Sequence, residues 1–418
     1  MKSYVFHHND DDGKCAAFLV KQYLINPMEP LLPANFIEYN YQANLEKRYP
    51  EFEEGDVVYI VDLSLDPSIL DLIRTCYDNG VQVTHIDHHH TGIEMYNQYK
   101  HELDNYGKGY IAFMKEGISG AMLTWIYANV LNDEDKEDPM NAKFDFDDDD
   151  LRKTCCRIDD QGQPITKDDK LIMSDKGVER IPDVVRMIDD NDIWKHKIQD
   201  TKFFTAGFQL SKDKHPLNHI WVELLDEGDV RQKNSVLTSM LNNGVTVISY
   251  RSNVDAKNLN NGFFVNINGI QVACLNVMEG NSSIFQEVYD NCDAVCKYSY
   301  DGVKYIYTFY SKEDGGADVS QIIKFLETTY KDRCGFISGG GHVHAAGCQF
   351  KHNFIEQLQV DKAGYVQKRK DIKLDALVAY EQNVIKERER QLREEQEKVN
   401  ALRAKYKAQM EEEEDYGI

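Results

Sequence analysis

The sequence predicts an α/β protein whose N-terminal domain is built on a parallel sheet, and three β-rich segments support this. Ser3–Phe6, Val57–Val61 and Val81–Ile86 are apolar, and helical patterns follow the first two at Lys14–Ile25 and Pro67–Asn79. Strands that alternate with helices are typical of βαβ units. Each segment ends in a polar cluster, and parallel sheets bind ligands beyond the carboxyl ends of their strands. We therefore expect the three clusters to form one site.

The polar residues that follow these strands are carboxylates and imidazoles. They are His8, Asp10 and Asp12 after the first strand, Asp62 after the second, and Asp87, His88 and His89 after the third. Oxygen and imidazole ligands without thiolate suit manganese, magnesium, iron or cobalt, and the mixture of His and Asp favours manganese over magnesium. Two such ions about 3.5–4 Å apart can clamp a phosphodiester and activate a water molecule. The pattern predicts a two-metal hydrolytic site that needs no protein nucleophile.

Each cluster taken singly has an ordinary alternative explanation. In a chain with 71 acidic residues, an Asp-x-Asp motif is usually a solvated loop or a helix cap. Three consecutive histidines can also be a surface tract. The ordered combination of three strand-terminal clusters favours the metal site. His7, His85 and His90 are expected to have structural roles outside it.

A second, smaller α+β domain is expected at residues 203–351. Asn-Gly and Asp-Gly turns predict hairpins within Phe263–Leu275 and Ala294–Tyr310, with helices at Ser282–Asn291 and Asp318–Tyr330. Three glycines then precede a histidine, at Gly339, Gly340, Gly341 and His342. Glycine amides can approach an anion closely, and the imidazole can add a hydrogen bond or charge. A substrate-binding loop is therefore expected there.

Together these motifs resemble the DHH phosphoesterases that carry the DHH-associated C-terminal domain. They are His-x-Asp-x-Asp-Gly at 8–13, Val-Asp at 61–62, Asp-His-His at 87–89, Ser-Gly-Ala at 119–121 and Gly-Gly-Gly-His-Val-His-Ala-Ala-Gly at 339–347. The resemblance covers about residues 1–350. The short first motif and Asp-Asn-Asp-Ile-Trp at 190–194 look most similar to the oligoribonuclease, or nanoRNase, branch. The resemblance implies a catalytic DHH domain at 1–200, with the active site in a cleft between the two domains.

The resemblance also implies a role for each site residue. One metal would be held by His8, Asp10 and Asp62, and the other by Asp12, Asp62, His88 and Asp190, so that Asp62 bridges the two. His89 would contact the scissile phosphate or protonate the leaving oxygen, and Asp87 would orient a neighbouring histidine. Gly339 to His342 would bind the substrate. Asp189 and Asp192 are adjacent alternatives to Asp190.

The implied activity is that of a manganese-dependent hydrolase, a phosphodiesterase that cleaves short oligonucleotides or dinucleotides to nucleoside 5′-monophosphates. Magnesium or cobalt could replace manganese. Relatives with these motifs also process cyclic dinucleotides, phosphoadenosine phosphate and single-stranded DNA ends. A catalytically silent scaffold that assembles through the C-terminal helix is the alternative of another class. Such paralogues typically lose metal ligands, whereas every expected ligand type is present here.

One departure from the family concerns Tyr310, where relatives often have arginine. An aromatic ring at this position could stack on a base or face the core. Phosphate contacts could instead come from Lys304, Lys312 or Arg333.

Composition limits the partners. The chain has 418 residues and a net charge of −23, so it lacks the extensive basic surface that long nucleic acids require. This favours short substrates over long duplexes. Nine cysteines without a Cys-x-x-Cys pattern predict reduced thiols and a cytoplasmic location. No signal-peptide pattern or long apolar stretch is present, which predicts a soluble protein with no membrane partner.

Four segments have distinctive compositions or expected roles. Residues 132–150 are expected to be a solvated acidic insertion in the first domain, and a helix at Ile181–Ile188 should deliver Asp190, with Trp194 packed in the core. Residues 370–410 should form one long helix. An apolar seam recurs every seven residues along it, at Val378, Ile385, Leu392, Val399 and Tyr406. Self-association through a coiled coil and a solvated helix packed on its own domain stay equally open, and 411–418 should be disordered.

Overall fold

The computed structural model describes residues 1–25, 34–40, 49–131, 133–147, 154–158, 161–163, 178–225, 235–278, 280, 282–312 and 314–415. It divides into two compact units, Met1–Ser249 and Tyr250–Ile418. Residues 203–225 and 235–249, which the sequence assigned to the second domain, therefore lie in the first unit. Within the described residues, no helix has both the length and the apolar character needed to cross a bilayer.

The first unit contains a five-stranded sheet in the order β2-β1-β3-β4-β5. The strands are β1 (Ser3–His8), β2 (Ala34–Tyr39), β3 (Val57–Val61), β4 (Gln82–Asp87) and β5 (Tyr110–Met114). Every pairing is parallel, which confirms the predicted parallel sheet. Apolar clusters cover both faces, as expected for a parallel sheet whose crossover helices pack on either side.

Helices α1 to α4 alternate with the strands of this sheet, and the remaining helices follow. They are α1 (Asp11–Leu19), α2 (Pro67–Asp78), α3 (His90–Asp104), α4 (Gly120–Asn129), α5 (Asp133–Glu137), α6 (Asp183–Asp192), α7 (Thr201–Phe208), α8 (Ile220–Leu225) and α9 (Ser235–Leu259), of which α9 continues past Ser249 into the second unit. Side-chain caps fix where several begin. Asp10 accepts the Gly13 amide at α1, and Asp66 accepts the Ile69 amide at α2. The polar residues at strand ends therefore also start the crossover helices.

The acidic segment differs from its prediction. Residues 133–147 contain α5 and strand β6 (Phe144–Asp147), and β6 pairs with β7 (Thr154–Arg157), which in turn pairs with β8 (Val178–Arg180). Phe144 is buried in the apolar cluster beside Phe113, so part of this segment packs despite its charge. Residues 132 and 148–150 of the predicted insertion lie outside the described residues.

The segment after α6 also differs. The predicted helix exists but runs on to Asp192. The prediction that Trp194 packs in the core was wrong, because 76% of the residue is exposed.

The second unit contains a seven-stranded sheet in the order β13-β14-β12-β11-β10-β9-β15. Its strands are β9 (Phe263–Ile267), β10 (Ile270–Asn276), β11 (Ala294–Tyr300), β12 (Tyr305–Tyr310), β13 (Phe336–Gly341), β14 (Ala345–Phe350) and β15 (Val360–Asp361). Both predicted hairpins are confirmed. At the first turn, Asn268 and Gly269 have φ of +51° and +87°, which matches the turn type that Asn-Gly favours.

Two elements of the second unit depart from their predictions, and one agrees. The helix expected at 282–291 consists of two short 3₁₀ turns, Ser282–Phe285 and Tyr289–Asn291. The glycine run is not a loop, because it forms the end of edge strand β13. The helix α10 (Val319–Tyr330) agrees with its prediction.

The long C-terminal helix α11 (Lys362–Asp415) is present and begins earlier than expected. Buried Tyr365 and Arg369 anchor its start, and the Arg369 guanidinium pairs with Glu287 through two contacts of 2.8 Å. Residues 411–415, predicted to be disordered, continue the helix, and 416–418 lie outside the described residues. The coiled coil and the interdomain cleft stay predictions.

Candidate metal centre

The carboxyl ends of three adjacent strands bring the candidate ligands together. His8 ends β1, Asp62 directly follows β3, and Asp87 ends β4. Within the described part of the chain, three groups of side chains have ligand atoms within 4.8 Å of one another. The groups are Asp62 with His88 and His89, His8 with Asp10 and Asp62, and Asp12 with His88 and Asp192. Residues far apart in sequence therefore converge as the pattern predicted.

Asp62 is shared by two of these groups. Its φ of +55° lies in the left-handed region, which is uncommon for a residue other than glycine and is often found at functional sites. The carboxylate is buried, with Oδ1 3.1 Å from His88 Nε2 and Oδ2 3.9 Å from His8 Nδ1. Among the residues that the structure describes, Oδ2 has no hydrogen-bond partner. A buried carboxylate oxygen without a donor is costly, and a cation would satisfy it.

One ligand group stands at the start of α1. His8 Nδ1 lies 2.5 Å from Asp10 Oδ2, and Asp10 Oδ1 accepts the Gly13 amide at 2.9 Å. Burial alone would raise the pKa of Asp10, but the hydrogen bonds from His8 and Gly13 lower that pKa to about 2. Asp10 is thus held ionised, as a metal ligand must be.

The other group is supported by the N-terminus of α4. Asp12 is 3.9 Å and Asp192 is 3.4 Å from Nε2 of His88. The carboxylate of Asp12 accepts the Gly120 amide at 2.7 Å and the Ala121 amide at 3.0 Å, a favourable place for an anion. These contacts give the Ser-Gly-Ala motif a physical role, because they orient Asp12.

Gly120 must be small for this arrangement. A Cβ added there would lie 2.7 Å from Asp62 Cβ and 3.0 Å from Asp12 Oδ2. The helix can approach both carboxylates only because it begins with glycine.

The centre concentrates negative charge in a buried place. Burial and the neighbouring carboxylates raise the pKa of Asp12 and of Asp62 well above their ordinary values. Burial and Asp10 raise the pKa of Asp192 to about 6. Burial and the neighbouring His89 lower the pKa of His88 to about 4, so this imidazole is neutral and able to bind a metal. Carboxylates that repel one another beside neutral imidazole form a donor set that fits divalent cations.

Three aspartates of α6 have different surroundings. Asp190 accepts the backbone amides of Lys197 and Ile198 at 2.7 and 3.3 Å. Asp189 accepts the Ser119 amide at 2.7 Å and pairs with Lys195 Nζ at 2.9 Å. Within the described residues, Asp192 belongs to a ligand group and Asp190 does not. The structure thus favours the alternative that the sequence kept open beside Asp190.

His89 and Asp87 form a separate pair beside the ligands. His89 Nδ1 lies 2.7 Å from Asp87 Oδ1, and because the carboxylate accepts, Nδ1 donates. Burial alone would lower the pKa of His89 and raise that of Asp87, but their hydrogen bond raises the pKa of His89 and lowers that of Asp87. The pair keeps a positive charge on the imidazole more readily than an isolated histidine does.

Two further residues support the centre, of which Gly92 was not identified from the sequence. Gly92, in the first turn of α3, leaves room for Asp87, since a Cβ there would lie 2.6 Å from Asp87 Oδ2. Buried His85 lies with Nε2 2.7 Å from the Leu63 carbonyl and Nδ1 3.1 Å from the Tyr110 hydroxyl. Nε2 must donate to the carbonyl, so the hydroxyl donates to Nδ1. His85 was expected to be structural, and its contact fixes the residue after Asp62. A glycine inside a helix was the one available sequence signal for Gly92.

The predicted substrate loop lies in the second unit. Gly339, Gly340 and Gly341 are exposed on edge strand β13, and His342 is exposed beyond it. Gly341 has φ of +142°, and a Cβ there would lie 2.4 Å from Ala346 Cα, whereas a Cβ on Gly340 would meet open space. The glycine run therefore exposes its backbone as predicted, but it does so as part of a strand and not as a loop. Its proposed contact with substrate stays a prediction.

Comparison with known proteins gives low-identity structural similarities to DHH-domain phosphoesterases. No family model matches the chain, and no curated protein matches it. A DHH domain from a ribosomal-protein family member is 14% identical with a TM-score of 0.42, covering 85% of this chain and 84% of that one. A pGpG-specific phosphodiesterase from Vibrio cholerae is 12% identical with a TM-score of 0.36, covering 90% and 99%.

The exonuclease RecJ bound to manganese is also similar. It is 12% identical, with a TM-score of 0.36 and coverage of 88% of this chain and 89% of that one. Because these identities are at most 14% and the TM-scores lie below 0.5, the likenesses carry no inference about the activity of this chain.

Proposed function

We propose that this chain is a DHH-type phosphodiesterase that uses two divalent metal ions, with manganese the leading choice. Its substrates are short oligonucleotides or dinucleotides, which it hydrolyses to nucleoside 5′-monophosphates. The observation that carries the proposal is Asp62, a buried carboxylate in a left-handed backbone conformation that two ligand groups share. A shared carboxylate with an unsatisfied oxygen suits a pair of cations better than one.

The ligands of the first ion are one group of the structure, and those of the second are the group of Asp12, His88 and Asp192 with Asp62 added, since Asp62 Oδ1 lies 3.1 Å from His88 Nε2. His8, Asp10 and Asp62 would hold one ion, and Asp12, Asp62, His88 and Asp192 the other, with Asp192 proposed in place of Asp190. When bound, such ions polarise phosphoryl oxygens and make water a stronger nucleophile at neutral pH. The neutral state of His88 and the ionised state of Asp10 are the forms that bind metal.

His89 has a different task in the proposal. Asp87 holds the Nδ1 proton of His89, so Nε2 is the nitrogen left to donate to a phosphate oxygen or to the leaving oxygen. The raised pKa of His89 increases the protonated fraction near neutral pH. Asp87 orients the imidazole and stabilises its charge, as carboxylates do for catalytic histidines.

The preference for short substrates rests on charge. With a net charge of −23, the chain would repel long polyanions beyond the centre itself. Gly339 to His342 are proposed to contact the substrate through exposed amides and an imidazole. Cyclic dinucleotides, phosphoadenosine phosphate and single-stranded DNA ends are the alternative substrates.

Manganese-stimulated release of mononucleotides from a labelled dinucleotide tests the proposal. Asp62→Ala should abolish the release. Asp66→Ala is the matched control. It removes the N-cap of α2, which should lower the free energy of unfolding by about 1 kcal/mol, and it changes no residue of a ligand group. If wild type and Asp62→Ala are equally inactive on every substrate, the scaffold hypothesis gains. A panel of pApA, cyclic di-AMP, phosphoadenosine phosphate and a single-stranded oligomer identifies the substrate.

Self-association through α11 is a separate proposal. The helix exposes one apolar residue every seven positions, at Val378, Ile385, Leu392 and Val399. Sedimentation equilibrium of the full chain, with Leu392→Asp as the variant, tests it. A monomer in both cases would reject it.

A further inference from the structure

An exposed tryptophan stands beside the metal centre. Trp194 lies two residues after Asp192, and 76% of it is exposed. The other two tryptophans, Trp125 and Trp221, are buried at 3% and 0%. Burial of apolar surface usually stabilises a tryptophan side chain in its position. Trp194 lacks that stabilisation, so its exposed position has a different physical reason.

The backbone that exposes Trp194 is strained. Trp194 has φ of +56° and His196 has φ of +49°, a conformation that bulky residues rarely adopt and that tends to persist at ligand-binding sites. The surrounding hydrogen bonds hold it. The His196 amide donates to the Asp190 carbonyl at 3.3 Å, and the Lys197 amide donates to the Asp190 carboxylate at 2.7 Å.

These bonds join the tryptophan to the centre. Asp190 fixes the turn after α6, while Asp192 at the end of the same helix belongs to a ligand group. The helix end therefore sets the position of the ligand and of the aromatic ring together. This also explains why Asp190 is buried although it lies outside the ligand groups.

One side of the indole is open. Among the described residues, the ring contact of Trp194 is with His196, at 4.9 Å between centroids and 89° between planes. A single edge-on contact braces the ring and leaves at least one indole face uncovered. The two residues after the ring, Lys195 and His196, are charged or polar, and the apolar Ile193 before it is half-buried.

We propose that Trp194, braced by His196, is a stacking platform for a nucleobase of the substrate whose phosphate is bound at the metal centre. This rests on the proposed function, and it names the base as the part of the substrate that the first unit recognises. Every base has a π-face, so such a platform binds nucleotides with little sequence preference. It would favour nucleotides over phosphate esters that lack a base.

The first test measures nucleotide binding through the tryptophan fluorescence of the full chain in the presence of Mn²⁺. AMP should quench the signal and ribose 5-phosphate should not. In Trp194→Ala, which retains the two buried tryptophans, AMP should cause no change beyond its absorbance. Equal quenching by the two ligands, or no quenching by AMP in the wild type, would overturn the platform.

The second test is kinetic. Loss of base stacking on an aromatic side chain predicts a rise in KM for the dinucleotide of about 5- to 150-fold in Trp194→Ala. Trp194→Phe should recover most of the loss because it keeps a ring. The Mn²⁺-induced thermal shift should persist in both variants. An unchanged KM in Trp194→Ala, with hydrolysis retained, would reject the platform. The exposed ring would then be a candidate contact for a protein partner.

The outcomes separate the two proposals. Quenching by AMP in a protein that hydrolyses no nucleotide would support the platform and reject the proposed function. Hydrolysis of the dinucleotide that does not depend on Trp194 would support the proposed function and reject the platform.

Discussion

Replacing Asp192 with Asn should make the metal-free protein more stable. Burial and Asp10 raise the pKa of Asp192 from an ordinary 3.8 to about 6. Keeping that carboxyl ionised at neutral pH costs the folded state up to about 3 kcal/mol, at about 1.4 kcal/mol for each pKa unit. Asparagine has nearly the same size and no charge. The Tm without metal should therefore rise by up to about 6–12 °C, at about 2–4 °C per kcal/mol for a unit of this size.

Metal should reduce this difference in stability. The wild type gains about 2.7 kcal/mol when Mn²⁺ is at about 100 times its Kd, which corresponds to about 5–11 °C. Asp192→Asn has lost a ligand and should gain much less. The difference between the two proteins should therefore shrink or close when Mn²⁺ is added.

Urea denaturation with EDTA or with Mn²⁺, followed by tryptophan fluorescence, is the assay. Trp125, Trp194 and Trp221 are all in the unit Met1–Ser249, so the signal reports the unit that carries the centre. It gives the free energy of unfolding of that unit in both conditions.

Asp190→Asn is the matched control. It weakens the hydrogen bonds to the amides of Lys197 and Ile198, which should cost about 1–3 kcal/mol in EDTA, and it should keep the gain from Mn²⁺. The reasoning is refuted if Asp190→Asn abolishes that gain while Asp192→Asn loses stability in EDTA and gains as much as the wild type.

Three further perturbations test the packing and electrostatics of the centre. Gly120→Ala places a Cβ 2.7 Å from Asp62 Cβ, so it should cost about 1–3 kcal/mol and weaken Mn²⁺ binding in titration calorimetry. Gly340→Ala enters open space and should stay within about 0.5 kcal/mol of wild type; the opposite order would contradict the close approach. His85→Leu leaves a buried carbonyl and a buried hydroxyl without their partner, at about 1–3 kcal/mol each in urea denaturation, and an unchanged unfolding midpoint would exclude that role. In EDTA, Asp192 ionises near pH 3.8 in the unfolded chain and near pH 6 in the folded protein. The wild type is therefore not penalised below pH 3.8, and it loses stability as the pH rises from there through pH 6. The stability difference between wild type and Asp192→Asn should therefore be near zero below pH 4 and grow up to pH 6, and a difference that does not vary with pH would argue against the shift.

Local patterns determined much of the fold. Apolar strand segments followed by helical periodicity predicted the parallel sheet, because burial on both faces and right-handed crossovers leave few other arrangements. Asn268-Gly269 predicted a hairpin because few other residue pairs adopt φ above zero at both positions. The convergence of His8, Asp62 and Asp87 followed from the same sheet, since the carboxyl ends of parallel strands share one edge.

Tertiary contacts decided the rest. Asp190 and Asp192 are chemically identical side chains, but the amides of Lys197 and Ile198 donate to the Asp190 carboxylate, whereas Asp192 lies 3.4 Å from His88. Composition could not show that Trp194 stays in water, because its exposure depends on a strained turn held by those same bonds.

The sequence by itself determined the residue types at the ends of the strands and the sheet that gathers them, because period and turn chemistry act over a few neighbouring residues. The three-dimensional structure decided which carboxylate reaches His88, that Gly120 allows α4 to approach Asp62, and that the glycine run pairs as a strand. The hydrogen bonds that orient Asp12 and Asp189 join segments more than 60 residues apart. No local pattern encodes contacts of that range.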